Sequence, residues 1–196
     1  MSNIYGETID GLVINGRSIK GGVFDERRVQ AAAGITLVLG AVAFVYAYFG
    51  KEYVPIKTVT TFFFVEFFVR VAFGIQYSPV GIVAKWLTQS RTPLWVSARP
   101  KRFAWSMGLV LSLAMMIITN VNIRGGLPLS ICLLCMTLMW LEAVLGLCLG
   151  CEIYRLLVRR GWMGRDDTYE VCSNGACELD EPERERVPVS STAVPG

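Results

Sequence analysis

Four apolar runs, separated by polar stretches, organise this chain; they cover approximately Val29–Phe49, Thr58–Ile75, Phe103–Val121 and Leu127–Val158. A membrane-crossing helix needs about 20 residues, so each run predicts one span. The fourth, about 30 residues long, predicts a helix that tilts or projects beyond the lipid. Between the second and third runs, SPVGIVAKWLTQSRTPLWV sets Val80, Val83, Trp86 and Leu87 at helical spacing, with Lys85 and Gln89 elsewhere on the wheel. That pattern predicts a helix lying in the membrane interface. The expected architecture is therefore all-α and polytopic, with four transmembrane helices plus an interfacial amphipathic helix between helices 2 and 3. It divides into a polar cytoplasmic segment (1–28), a four-helix transmembrane domain (29–158) and a cysteine-containing tail expected to be partly disordered (159–196).

Composition agrees with that pattern. Of 196 residues 53% are hydrophobic and 18% charged, and the mean hydropathy is +0.47, well outside the soluble-globular norm. Acidic residues Glu7, Asp10, Asp25 and Glu26 interrupt the first 28 positions, which lack the apolar core of a cleavable signal. The first span is thus expected to stay in the mature protein. INGRSIKGGVFDERR suggests a small hairpin around Asn15-Gly16 and a helix N-cap at Asp25.

The basic residues give an orientation. Arg17, Lys20, Arg27 and Arg28, then Lys85, Arg91, Arg99, Lys101 and Arg102, then Arg155, Arg159, Arg160 and Arg165 fall on one side; only Lys51, Lys57 and Arg124 fall on the other. Both termini are expected at the cytoplasmic face of the membrane. The formal net charge of +3 hides the asymmetry, because residues 1–165 hold seventeen of the nineteen basic residues but only eight of the sixteen acids, a net +9. Such a surface suits anionic lipid. Nucleic acid is a poor partner, since the basic residues flank spans instead of forming a domain.

Ala32, Thr36 and Gly40, and Gly108 with Ser112, put small residues four apart, a spacing that lets membrane helices approach closely. Three charges lie where lipid is expected: Glu66 and Arg70, four apart in FFFVEFFVR, and Glu142 in the fourth run. Residues of this kind face a partner or a polar cavity. At 1.5 Å per residue, Arg70 and Glu142 both lie roughly 20 Å below the outer ends of their helices. Matching depths suggest that Glu66 and Glu142 share Arg70 as counter-ion, either as a clasp between helices or as a proton-handling site.

Six cysteines form three close pairs: Cys132/Cys135, Cys148/Cys151 and Cys172/Cys177. The first two pairs are expected near opposite ends of the fourth span, about 24 Å apart. In CSNGAC, Asn174-Gly175 favours a hairpin that would set Cys172 opposite Cys177, in disulfide range. Two cysteines three apart within a helix can form only a strained, easily reduced bridge, which makes Cys148/Cys151 candidates for redox exchange. A helix C-terminus, however, would oppose thiolate formation there, with Arg155 correcting this only in part. Packing as small hydrophobes is the competing role, especially for Cys132 and Cys135. Alternatively, Cys148, Cys151, Cys172 and Cys177 approximate the spacing of a four-thiolate zinc or iron–sulfur site. The chain contains no histidine, which excludes His-ligated haem and histidine acid–base catalysis; nor does it carry a glycine-rich phosphate loop. GGLP, near Gly125, reads as a loop.

GGVFDERRVQAAAGIT, VEFFVRVAFGIQYSPVGIVAKWL, ARPKRFAWSMGLVLSLA and LEAVLGLCLGCEIYRLL together resemble the bacterial membrane family catalogued as domain of unknown function 4395, over roughly residues 22–158. Ser78-Pro79, the run from Pro100 to Ala104, and Cys148/Cys151 followed by Tyr154 carry most of the resemblance. It implies the membrane fold and, through the association of similar proteins with thioredoxin-like or rhodanese-like partners, sulfur or thiol chemistry. Cys132/Cys135 and the tail pair are not part of the resembling motif.

Overall fold

The computed structural model describes residues 5–7, 13–14, 17–18, 22–123 and 125–162. Two short antiparallel strands, β1 (Val13–Ile14) and β2 (Arg17–Ser18), flank the expected Asn15-Gly16 turn, which itself lies outside the described residues. β3 (Val23–Asp25) leads into α1 (Glu26–Tyr48), and α2 (Val54–Phe73) returns to a 3-10 turn at Ile75–Tyr77. α3 (Pro79–Thr88) and β4 (Trp95–Ser97) follow, then α4 (Ala98–Asn120), α5 (Gly126–Leu145) and α6 (Leu149–Arg159). GGLP is thus partly helical, with Gly126 opening α5 and Pro128 in its first turn, a position that needs no amide proton.

An antiparallel ribbon sets the arrangement of the long helices. β3 and β4 pair with Val23 opposite Ser97 and Phe24 opposite Val96, so α1 and α4 start side by side. Asp25 is the N-cap expected from sequence: its carboxylate accepts from Arg27 N at 3.1 Å and also from Leu94 N at 3.0 Å. One side chain therefore caps a helix and ties it to the segment entering β4. α2 packs on α4 and α1, while α5 packs on α1 and α4, which places α2 and α5 across the bundle diagonal. Ala32, Thr36 and Gly40 are buried in these contacts, and Gly108 lies so close to Phe67 that an added Cβ would fall 2.7 Å from its ring.

Three helices, α1, α4 and α5, are long and apolar enough to cross a membrane. α2 has the length, at 20 residues, but carries Lys57, Glu66 and Arg70. The outward faces are apolar: Val38, Val42 and Val45 on α1, Val65 and Phe68 on α2, and Val110 and Ile117 on α4 are all exposed.

Two expectations need correction here. The expected helix between spans two and three exists as α3, capped by Ser78, whose hydroxyl accepts from Gly81 N at 2.9 Å. Its four apolar markers are not equally exposed, however: Val80 is in the core with Gly81 and Ala84, whereas Val83, Trp86 and Leu87 are exposed, as is Ile82. The fourth run is not one helix. Gly146 adopts the left-handed conformation at φ 64°, Leu147 N donates to Leu141 O at 3.1 Å, and α5 stops. A side chain at 146 would also displace the end of Gln30, whose Nε2 is 2.6 Å from the site of a Cβ. Leucine-rich composition hid this break, because hydrophobicity alone does not register one left-handed glycine.

Candidate functional site

The break gives the cysteine motif its geometry. Cys148, extended at φ −84° and ψ 97°, is the N-cap residue of α6, and Cys151 is the third residue of that helix. The pair therefore stands at a helix N-terminus, where unpaired amides and the macrodipole favour a thiolate, and not at the C-terminus expected from a continuous fourth helix. Cys148 is half-buried and Cys151 buried; neither is bridged. α6 is amphipathic, burying Cys151, Tyr154 and Val158 on one face. Tyr154 packs on Phe103 with ring centroids 5.7 Å apart, and Gly150 permits close approach to α4, since a Cβ there would lie 2.6 Å from that of Ala104.

Electrostatics around Cys148 pull in both directions. Its hydrogen bond with Cys151 and its burial push the thiol pKa up, and the nearby Lys101 ammonium pulls it down; the upward influences prevail. Cys148 therefore holds its proton at neutral pH and can donate it toward the Cys151 sulfur.

Lys101 lies at the centre of a buried ion cluster built from three helices. Its Nζ is 2.8 Å from Glu26 Oε2 at the start of α1 and 2.6 Å from Glu142 Oε1 near the end of α5. One ammonium between two carboxylates leaves the cluster one negative charge in excess unless a proton is held there. This arrangement replaces the expected Arg70–Glu142 pair. Arg70 instead binds Glu66 on its own helix, Nε to Oε1 at 2.8 Å, while Val80 N donates to the other Glu66 oxygen at 3.4 Å. Arg70, Glu142 and Lys101 do lie at a common depth, each three residues inside the ribbon-side end of its helix. Rotation around the bundle decided the partner: α2 and α5 are diagonal, and α4 supplies a nearer cation. Glu142 still contributes to the field at Arg70.

Lys101 and Glu26 were missed as site residues because each adjoins a polar flank, Lys101 in PKR and Glu26 in DERR. Arg28 was also counted as a flanking charge, yet it is buried and donates to Gly81 O of α3 at 3.0 Å and to Ile75 O at 3.4 Å, fixing α3 and the turn before it to α1. Tyr5 donates to Arg70 O, and its ring lies 4.4 Å under the Arg102 guanidinium, closing this end of the bundle.

A largely apolar cavity of about 160 Å³ runs up the bundle between α1, α2, α4 and α5. Arg70, Glu142 and Cys148 line its ribbon-side end; Cys132 lines the opposite end, packed near Ala43, Ile56 and Met115. Cys172 and Cys177 lie outside the described residues, and among the described residues no three potential ligands are grouped to hold a metal ion. Cys148 and Cys151 would supply two of the four thiolates that the metal reading requires.

A helical bundle with membrane-length apolar helices and a C-x-x-C helix start defines the class of protein. A family model matches residues 24–159, from the β3–β4 ribbon to the last residue of α6, and the chain belongs to that family, Domain of unknown function (DUF4395). Comparison with curated proteins and with solved structures gave no match.

Proposed function

We propose that this chain is a four-span protein of a bacterial inner membrane, with both termini cytoplasmic, whose Cys148/Cys151 pair exchanges thiol and disulfide with a soluble thioredoxin-like or rhodanese-like partner. The observation that carries the reading is the placement of both cysteines in the first turn of α6, within hydrogen-bonding reach of one another and beside Lys101. Against the burial that keeps Cys148 protonated at rest, the helix N-terminus and a fixed cation both act to stabilise the thiolate that forms during exchange. α2 joins the three apolar helices as a span because Glu66 and Arg70 neutralise each other inside the bundle. The shared origin of α1 and α4 at the ribbon supports one orientation for both, and the outward Trp86 and Leu87 of α3 suit an interfacial position.

Trapping tests the reading. In cells, Cys148→Ser or Cys151→Ser leaves one thiol able to attack but none to resolve, so one of the two variants should accumulate a reducible adduct with a soluble protein. Finding that neither variant forms an adduct, with Cys148 and Cys151 fully reduced in the parent under oxidising conditions, would remove the exchange function. Thiol counting with and without a chelator also tests the four-cysteine zinc or iron–sulfur alternative, for which Cys148, Cys151, Cys172 and Cys177 must become reactive together.

A further inference from the structure

We propose that the bundle cavity seats the ring of a lipophilic quinone and that this quinone accepts the electrons of the Cys148/Cys151 dithiol, an inference that rests on the exchange reading above. Size is the first argument. A dry apolar cavity of 150 Å³ accepts one benzene ring, and the volume here is about 160 Å³.

Polarity is the second. A purely apolar ligand would need no hydrogen-bond donor, yet Arg70, buried at 2% exposure, lines this cavity and has an unsatisfied nitrogen. Its Nη2 is 2.7 Å from Glu66 Oε1, inside ion-pair distance, but lacks hydrogen-bonding geometry. A buried guanidinium N–H without a well-aligned acceptor is unfavourable even beside its counter-ion, and a quinone carbonyl would supply that acceptor.

Reactivity is the third. Cys148 lines the same end of the cavity as Arg70 and Glu142, so a ring bound there lies next to a thiol. The step balances without another reagent: both S–H bonds break, one S–S bond forms, and two electrons and two protons convert the quinone's carbonyls to the hydroxyls of a quinol.

Duroquinone, a fully substituted benzoquinone that resists thiol addition, is a suitable probe. The full chain in lipid nanodiscs would be reduced, freed of reductant under anaerobic conditions and mixed with it. Expected are one quinol per protein, a Cys148–Cys151 disulfide by mass spectrometry, and saturable quenching of Trp105, a cavity residue, identified by its loss in Trp105→Phe. Ala33, in the wall at the level of Glu142, gives a graded block: Ala33→Val should weaken quenching several-fold and Ala33→Leu at least tenfold. If the parent exchanges with a small soluble disulfide but neither reduces duroquinone nor shows Trp105 quenching, the quinone proposal is overturned and the exchange reading stands. Quenching by duroquinone without reaction of the dithiol toward quinone or disulfide overturns the exchange reading and the electron transfer built on it. Unaltered quenching in folded Ala33→Leu places the quinone elsewhere and also overturns the proposal.

Discussion

Cys132/Cys135 and Cys148/Cys151 share a spacing and a segment of sequence, yet the backbone gives them different chemistry. The first pair sits inside continuous α5, its amides already committed to helix hydrogen bonds and its side chains among apolar neighbours. The second straddles the start of α6, with a cation beside it and helix amides still unpaired. Spacing alone thus carries little chemical meaning. What separates the pairs is a glycine in the left-handed region two residues before Cys148.

The largest expected effect breaks the comparison directly. Cys148→Ser and Cys151→Ser should each lower exchange with a soluble disulfide at least a hundredfold in a stopped-flow assay, whereas Cys135→Ser should change it less than twofold. Equal losses at both pairs would show that the helix start confers nothing.

Lys101 distinguishes the second pair electrostatically and also holds three helices together. Lys101→Met strands Glu26 and Glu142 in the interior and should cost about 3–5 kcal/mol, the usual penalty for removing one partner of a buried ion pair. Denaturant unfolding in mixed micelles would measure it. Replacing all three residues together, Glu26→Gln, Lys101→Met and Glu142→Gln, should recover most of that stability while leaving Cys148 without its cation.

Gly150 tests placement. Gly150→Val drives a side chain into Ala104 and should destabilise by about 1–3 kcal/mol through overpacking. It should also slow exchange about tenfold by lifting α6 from α4, a change visible as loss of protection of Cys151 from alkylation.

The smallest effect concerns protonation. Because the Cys151 hydrogen bond is the leading influence raising the Cys148 pKa, Cys151→Ala should make Cys148 alkylate several-fold faster at pH 8. The sign extends to stability: a thiol whose folded pKa exceeds its unfolded value stabilises the fold below the unfolded pKa, and this contribution is lost as pH rises toward the folded one. The parent should therefore lose stability above the ordinary thiol range, and Cys151→Ala should lose less. Mass-spectrometric rates of iodoacetamide labelling and alkaline unfolding curves check the two statements.

Much of the fold was legible in the sequence because long apolar runs report directly on long apolar helices. Asp25 as a cap and Ala32, Thr36 and Gly40 as packing positions followed from local rules. The site was less legible. Lys101 and Glu26 become buried only because β3 and β4 pair across some seventy intervening residues, and no local pattern announces that ladder. Arg70 and Glu142 were placed at the right depth, but rise per residue contains no information about rotation around the bundle.

The β3–β4 ribbon also constrains the order of synthesis. A chain emerging from the ribosome delivers α1 and its Glu26 long before residues 95–101 exist, so the base of the first helix forms with an open strand edge and a carboxylate lacking its ammonium partner. Nascent chains shorter than about 101 residues thus cannot complete the bundle, however well their first two helices form. Any chaperone or protease that recognises an unpaired charge among apolar helices has its recognition signal throughout that interval, and Lys101 is the residue that withdraws it.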